Sequence, residues 1–423
     1  MRLKELLAKQ SSVFLSFYLT LTAFTTYFCV YALRKPFTAG TFEGMTLWGI
    51  DYKIVLVIAH VLGYASSKGL GIKVISEVKP ERRAGMILFF VGVALLALLG
   101  FALVPAPYNW IFMYFNGLPL GMIYGLVFGY LEGRRVTEIL GAGLCISFIV
   151  SSGVVKSVGR WLIVDIGLSD YWMPFWAGVL FLPLLVLAVW GLNLAPPPNA
   201  EDEQLRTERV PMNATERRAF FGLLAPGLLM LIAVYIFVTI LRDVRDNFAV
   251  EIFKEAGVTD ISVFTLTETL VGLGITVLAG FLFVIKDNKV AYWVNLLFVG
   301  AGMLLVTCAT WLFESGQLGA IPWMTWVGLG IYMAYVPYNC TLFERLIAVM
   351  RRKSNVGFLL YMADFAGYLG SVAIILVKNF GSGGISWLHF YVKFAYLMPL
   401  FSVLILGVAA LYFRRKFKIE ATY

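Results

Sequence analysis

Apolar runs of about 20 residues, long enough to cross a bilayer as helices, follow one another along nearly the whole chain, and no other feature limits its fold so tightly. Inside hydrocarbon the backbone has no water to bond, so each run must close its own hydrogen bonds as an α-helix. The runs fall near 13–33, 52–75, 84–104, 109–131, 139–163 and 172–194, then near 222–241, 261–285, 290–313, 321–349, 356–378 and 389–413. They predict an all-α membrane protein with twelve transmembrane helices in two six-helix bundles. With 60% hydrophobic and 14% charged residues, the 423-residue chain is too apolar for a soluble domain of its size. The first run lacks a small-residue cleavage site and ends in charge, unlike a removable signal peptide, so it reads as a retained helix.

The formal net charge is +9, and its placement speaks for topology rather than for nucleic acid. With a cytoplasmic N-terminus, the segments on that side hold 24 of the 34 basic residues. Among them are Lys68, Lys73, Lys79, Arg82, Arg83, Arg134, Arg135, Arg206, Arg209, Arg217, Arg218, Arg351, Arg352 and Lys353. That is the bias that sets membrane orientation. The expectation is a multi-pass protein of the cytoplasmic (inner) membrane with both termini cytoplasmic, a lipid bilayer around it, no nucleic-acid partner and a monomeric state.

Other chemistry finds little footing. Cys29, Cys145, Cys308 and Cys340 lie in apolar runs without metal-ligand spacing and read as packing residues, with no disulfide or metal site expected. His60 and His389 are far apart, and no Gly-rich phosphate loop follows a strand, so neither an enzyme nor an ATP-driven pump has support and no cofactor is expected. Asn213-Ala214-Thr215 matches a glycosylation acceptor, which would stay unmodified on the cytoplasmic side.

Two arginines recur in this apolar background. Arg34 ends Tyr27-Phe28-Cys29-Val30-Tyr31-Ala32-Leu33-Arg34, and Arg242 ends Tyr235-Ile236-Phe237-Val238-Thr239-Ile240-Leu241-Arg242. Superposed, Tyr, Val, Leu and Arg coincide at a constant offset of 208 residues. A cation at mid-bilayer costs roughly 2.5–3.5 kcal/mol on insertion scales, so a repeated pair reads as two like charges turned toward one anion. Between the halves, Ala195-Pro196-Pro197-Pro198-Asn199-Ala200-Glu201-Asp202-Glu203 runs on to Arg217-Arg218. Proline stiffens this stretch and charge prevents its burial, so it reads as a solvated linker. The plan is an N-terminal bundle over 1–195, a cytoplasmic linker over 196–220 and a C-terminal bundle over 221–423. Two such repeats rocking about a central site make a transporter.

Several short motifs carry a likeness. They are Tyr31-Ala32-Leu33-Arg34-Lys35-Pro36-Phe37, Gly63-Tyr64-Ala65-Ser66-Ser67-Lys68, Ile240-Leu241-Arg242, Phe264-Thr265-Leu266-Thr267-Glu268, Tyr335-Val336-Pro337 and Gly367-Tyr368-Leu369-Gly370. In order and spacing they resemble the major facilitator superfamily, and within it the organophosphate–phosphate antiporters. They are also similar to an uncharacterised bacterial family of that kind, which names no substrate. The resemblance implies exchange of a small anion by alternating access. The chain departs from the pattern in two places. After the second helix, Gly71 to Arg83 offers Ser76-Glu77-Val78-Lys79-Pro80 where the superfamily has Gly-x-x-x-Asp-Arg/Lys. The antiporters' histidine on the fifth helix falls near Ser151 or Ser152, and this helix carries Lys156 and Arg160 instead.

On this reading Arg34 and Arg242 clamp a phosphate, organophosphate or carboxylate with planar, two-pronged donors. Lys35, Lys68 and Lys156 add positive potential, and Tyr31 and Tyr335, with Tyr27 and Tyr235, offer hydroxyls. Alternatives stand beside each role. Arg34 and Lys35 end a helix from which long cations snorkel to headgroups, and Lys68 near the inner end of the second helix serves topology equally well. Asp243, Arg245 and Asp246 can pair with Arg242 or with one another, as a gate or a cap. Glu268 and Asp364 lie inside spans, where carboxylates rarely face lipid; each is either an ion-pair partner or the carrier of a coupling proton. Gly117, Gly121, Gly125 and Gly129 recur every four residues and predict a close helix–helix face, with Gly272, Gly274 and Gly280 a second. Pro36, which cannot donate a backbone bond, predicts a bend in the first helix. Two functions remain beside the exchanger: a proton-coupled anion symporter and a facilitator-like membrane sensor.

Orientation is directly testable. Single cysteines placed at Arg83 and Arg218 should react with an impermeant maleimide only after the inner side of the membrane is opened, and one at Glu43 before. Labelling in the reverse order would overturn the charge-based topology.

Overall fold

The computed structural model describes residues 2–131, 134, 137–197, 214–350, 356–381 and 384–420. Twelve long helices run through them: α1 Ser12–Arg34, α2 Tyr52–Glu77, α3 Arg83–Leu103, α4 Ile111–Leu131, α5 Thr137–Val164, α6 Met173–Asn193, α7 Ala214–Asn247, α8 Ser262–Val284, α9 Asn288–Glu314, α10 Ala320–Cys340, α11 Val356–Gly381 and α12 Trp387–Glu420. Eleven are long and apolar enough to cross a membrane. The twelfth, α10, has 21 residues but is enriched in Trp, Tyr and Pro, and one face of it is buried in the protein through Trp323, Val327, Ile331, Tyr335 and Tyr338. Large apolar side chains such as Leu96, Leu187, Phe281, Leu297 and Leu404 are exposed on the outer faces of the helices, where a multi-pass protein meets lipid.

The chain divides into two compact units. The first comprises Met1–Arg206 together with Thr259–Thr269; the second comprises Thr207–Val258 and Leu270–Tyr423. The opening turns of α8 thus pack with the first unit. There the Ser157 hydroxyl donates to the Ile261 carbonyl at 2.8 Å and the Thr265 hydroxyl donates to Ser157 at 2.8 Å. Before α8, the Asp260 carboxylate accepts the Ser262 N–H at 2.8 Å, which holds it below the usual carboxylate range.

Several local expectations change. The first helix does not bend at Pro36; it stops at Arg34, and Pro36 opens a tight turn over Pro36–Ala39, because its nitrogen has no proton to continue the ladder. In the second unit α7 continues to Asn247, so Arg242 sits within the helix rather than at its end. The run read as 321–349 is two helices, α10 and Leu342–Met350, separated at Thr341. Thr341 leaves helical geometry, and its hydroxyl donates to Asn295 on α9 at 2.8 Å. Helix α7 starts at Ala214, within the stretch read as linker. Residues 198–213, with Arg206, Arg209 and Asn213, lie outside the described residues, as do Arg135, Arg351, Arg352 and Lys353 and the side chains of Lys73, Ser76, Glu77 and Arg217. Cys29 and Cys145 are buried as packing residues, whereas Cys308 is exposed on α9.

The glycine face is real but selective. A Cβ on Gly117 would stand 2.3 Å from the His60 carbonyl oxygen, and one on Gly63 would stand 2.2 Å from that of Tyr114, so α2 and α4 meet backbone to backbone. Gly129 instead makes room for the Arg83 guanidinium, and a Cβ on Gly280 would enter open space. Gly117→Val should therefore cost on the order of 3 kcal/mol, read as a lower melting temperature in detergent. Gly280→Ala should leave the melting temperature unchanged or raised; equal losses at both positions would contradict this packing.

Candidate functional site

In the first unit, helical spacing brings polar groups into stripes. Tyr27, Tyr31 and Arg34 share a face of α1, His60, Tyr64 and Lys68 a face of α2, and Phe148, Ser152 and Lys156 a face of α5. All nine are buried. The Arg34 guanidinium lies 4.0 Å above the Tyr64 ring and 5.3 Å from the Tyr31 ring, and donates to the Tyr31 hydroxyl at 3.2 Å. The Lys68 ammonium sits 5.6 Å from the Tyr64 ring and 5.7 Å from the Tyr124 ring. The Tyr27 and Tyr64 hydroxyls are 3.4 Å apart, and Phe148 stacks on Tyr31 at 6.5 Å. Lys156 donates to Ser152 at 3.1 Å. Ring faces are the negative part of an aromatic quadrupole, worth up to about 2 kcal/mol to a desolvated cation.

Buried ionic side chains are distributed unevenly. Among the described residues, the first unit buries Arg34, Lys35, Lys53, Lys68 and Lys156 against one carboxylate, Glu268. Glu268 packs its stem on Gly153 of α5, so this carboxylate reaches the cationic unit from α8. The second unit buries Arg245 with Asp243, Asp246 and Asp364.

There Arg242 is already engaged. Its Nε and Nη2 donate to Asp243 at 3.1 and 2.7 Å, and its guanidinium stacks 4.2 Å from the Tyr335 ring and 5.8 Å from that of Tyr368. Asp243 accepts a further bond from Ser371 on α11 at 2.8 Å. Asp364 accepts the Tyr235 hydroxyl, Tyr235 stacks on Tyr335 at 5.4 Å, and Asn339 donates to Tyr235 at 3.4 Å. Arg245 donates to the Met324 carbonyl at 3.2 and 3.0 Å.

Each residue singled out from sequence now has a place. Arg34, Lys35, Tyr31, Lys68 and Lys156 are buried in the first unit, so neither Arg34 nor Lys68 is a surface charge. Arg242, Tyr335, Asp243 and Asp364 form one cluster in the second, with Asp246 buried one helical turn from Arg242. Sequence reasoning passed over Tyr124, Asn116, Asn339 and Ser371. Asn116 donates to the carbonyls of Leu33 and Ala94 at 3.1 and 3.0 Å, tying the end of α1 to α3. A lone asparagine inside an apolar run was the signal available, since it must find partners there.

The ion pair of the second unit can be tested by itself. Asp243→Leu should destabilise the protein by about 3 kcal/mol by leaving Arg242 uncompensated, and adding Arg242→Met should recover most of that loss. Additive losses in the double variant would show that the two do not depend on each other.

Residues 36–416 match the model of a family of unknown function, DUF5690, and the chain belongs to that family. No curated protein matches it. In structure it is similar to a D-xylose-proton symporter, with a TM-score of 0.60 and 16% identity over 93% of this chain and 97% of that one. The fold is that of the major facilitator superfamily; neither comparison singles out the organophosphate–phosphate antiporters.

Proposed function

We propose that this DUF5690 protein is a secondary transporter that carries a small anion across the membrane by alternating access, with the anion held first by the N-terminal unit. The observation that carries this reading is the excess of buried cations there, Arg34, Lys35, Lys53, Lys68 and Lys156 against Glu268. Like charges held together in a low dielectric repel, and an anion entering among them relieves that repulsion. Arg34 is the principal ligand, because stacking on Tyr64 fixes the plane of a donor fork whose geometry matches a phosphate or carboxylate. Lys68 and Lys156 supply charge, and Tyr31 supplies a hydroxyl. Arg242 contributes differently from Arg34. Its pairing with Asp243 makes it a gate whose partner an anion would have to replace. The empty cationic site resists rocking until it is filled, which favours exchange over net release.

A second reading has its own support. The Tyr235–Asp364 bond amid stacked tyrosines suits a proton-coupled carrier of a polyhydroxylated solute, and one structure of similar fold is a D-xylose-proton symporter.

Proteoliposomes loaded with labelled phosphate, glycerol 3-phosphate, gluconate or xylose separate the readings. The anion reading predicts efflux of at least one anion that external anion accelerates, with Arg34→Lys weakening it at least tenfold, the equivalent of about 1.5–3 kcal/mol. Proton-driven xylose uptake without anion flux would support the second reading. Anion binding without any flux would indicate a sensor.

A further inference from the structure

Immediately after the Arg34–Lys35 pair, residues 36–42 cross the end of the first unit as a strap that is buried almost throughout. Three other elements hold it. On α2, Lys53, 2% exposed, donates its ammonium to the Thr38 carbonyl at 2.8 Å. On α5, Arg160 reaches the Ala39 carbonyl at 3.4 Å, and Gly159 lets Ala39 and the Pro36 carbonyl come close. From the loop between α5 and α6, one oxygen of Asp170 accepts the N–H groups of both Thr41 and Phe42, at 2.9 and 2.8 Å. Gly40 permits that approach, since a Cβ there would stand 3.1 Å from the Asp170 carboxyl carbon.

The strap is also held in an unfavourable conformation. Phe42 has a φ of 50°, in the left-handed region that side-chain-bearing residues rarely adopt. Such a conformation persists only where the surroundings over-determine it. Here the Asp170 bond fixes the Phe42 nitrogen, and the rings of Tyr171, Tyr52 and Phe101 enclose its side chain at 5.4, 6.1 and 6.2 Å. A comparable latch recurs in the second unit. The Glu255 carboxylate, on the short helix after α7, accepts the N–H groups of Trp387 and Leu388 at 3.2 and 2.8 Å. In both repeats a carboxylate fastens the segment that follows the arginine-bearing helix to the start of the sixth helix of its set.

We propose that Asp170 is a positioning residue for the anion site: by locking the strap it fixes the end of α1, and with it Arg34 and Lys35. The link is short. The Thr38 hydroxyl and amide both bond the Lys35 carbonyl, at 2.8 and 3.0 Å, and the Lys35 amide bonds Tyr31, so the strap continues the hydrogen-bonded path of α1 without a slack residue. What the positioning serves rests on the transport reading, but the positioning itself is measurable without a substrate.

The test compares purified full-length wild type with Asp170→Ala, Asp170→Asn and Asp170→Glu. Amide hydrogen exchange is followed over 31–42, and phenylglyoxal modification of Arg34 is followed by mass spectrometry, with exposed Arg218 as internal reference. In Asp170→Ala, exchange should quicken from Phe42 back to Lys35, and Arg34 should be modified about fivefold faster or more, as local opening exposes it. Asp170→Asn, the milder change to use if the alanine variant does not fold, should lie between that variant and wild type. Asp170→Glu, which keeps the carboxylate, should restore much of the wild-type behaviour. Faster exchange confined to Thr41 and Phe42, with Arg34 modified at the wild-type rate, would overturn the proposal. Because no flux is measured, that outcome would leave the transport reading standing, and a lack of anion flux would leave this one standing.

Discussion

A cation inside an apolar bundle has to be answered by something within reach, and most of this structure can be understood from how that is done for Arg34. Its guanidinium is placed against the faces of Tyr31 and Tyr64. The rings offset part of the desolvation cost but none of the net charge. The unit that buries it also buries four lysines. Close approach of α2 and α4 at Gly63 and Gly117 brings Tyr124 within range of Lys68, opposite Tyr64 one turn back on α2, so packing of small residues and electrostatics of large ones are parts of one arrangement.

The repeated arginine of the second unit solves the same problem by another route. Tyr235 and Arg242 occupy the positions of Tyr27 and Arg34. Asp243 follows Arg242 directly, however, where Lys35 follows Arg34. One residue thus turns a cationic helix end into an ion pair inside a longer helix. On the proposed anion reading, this asymmetry gives the first repeat the leading share of binding and the second a gating share.

Much of the fold was legible because hydrocarbon leaves few choices: run length and the distribution of basic residues predict the helices and their grouping. The repeat at Arg34 and Arg242 was legible too, as were buried positions for Glu268 and Asp364. Chain order could not show where a helix stops within an apolar run. Pro36 ends α1 and Thr341 ends α10 through tertiary hydrogen bonds and missing donors. The Arg242–Asp243 pair was legible from adjacency, but not its surroundings, because Ser371 and Tyr335 come from two other helices that are distant in sequence. The Asp170 latch is invisible for the same reason: its partners lie more than a hundred residues away.

The central claim is that an anion binds among the buried cations of the first unit, with Arg34 as its chief ligand. Diffraction data collected at the selenium edge from crystals soaked in selenate test it most directly, since selenate imitates phosphate and sulfate in shape and can be located by its anomalous signal. The account predicts a peak within hydrogen-bonding distance of the Arg34 guanidinium that disappears in Arg34→Gln. A peak found only at surface lysines, or one beside Arg34 that survives that substitution, would contradict it.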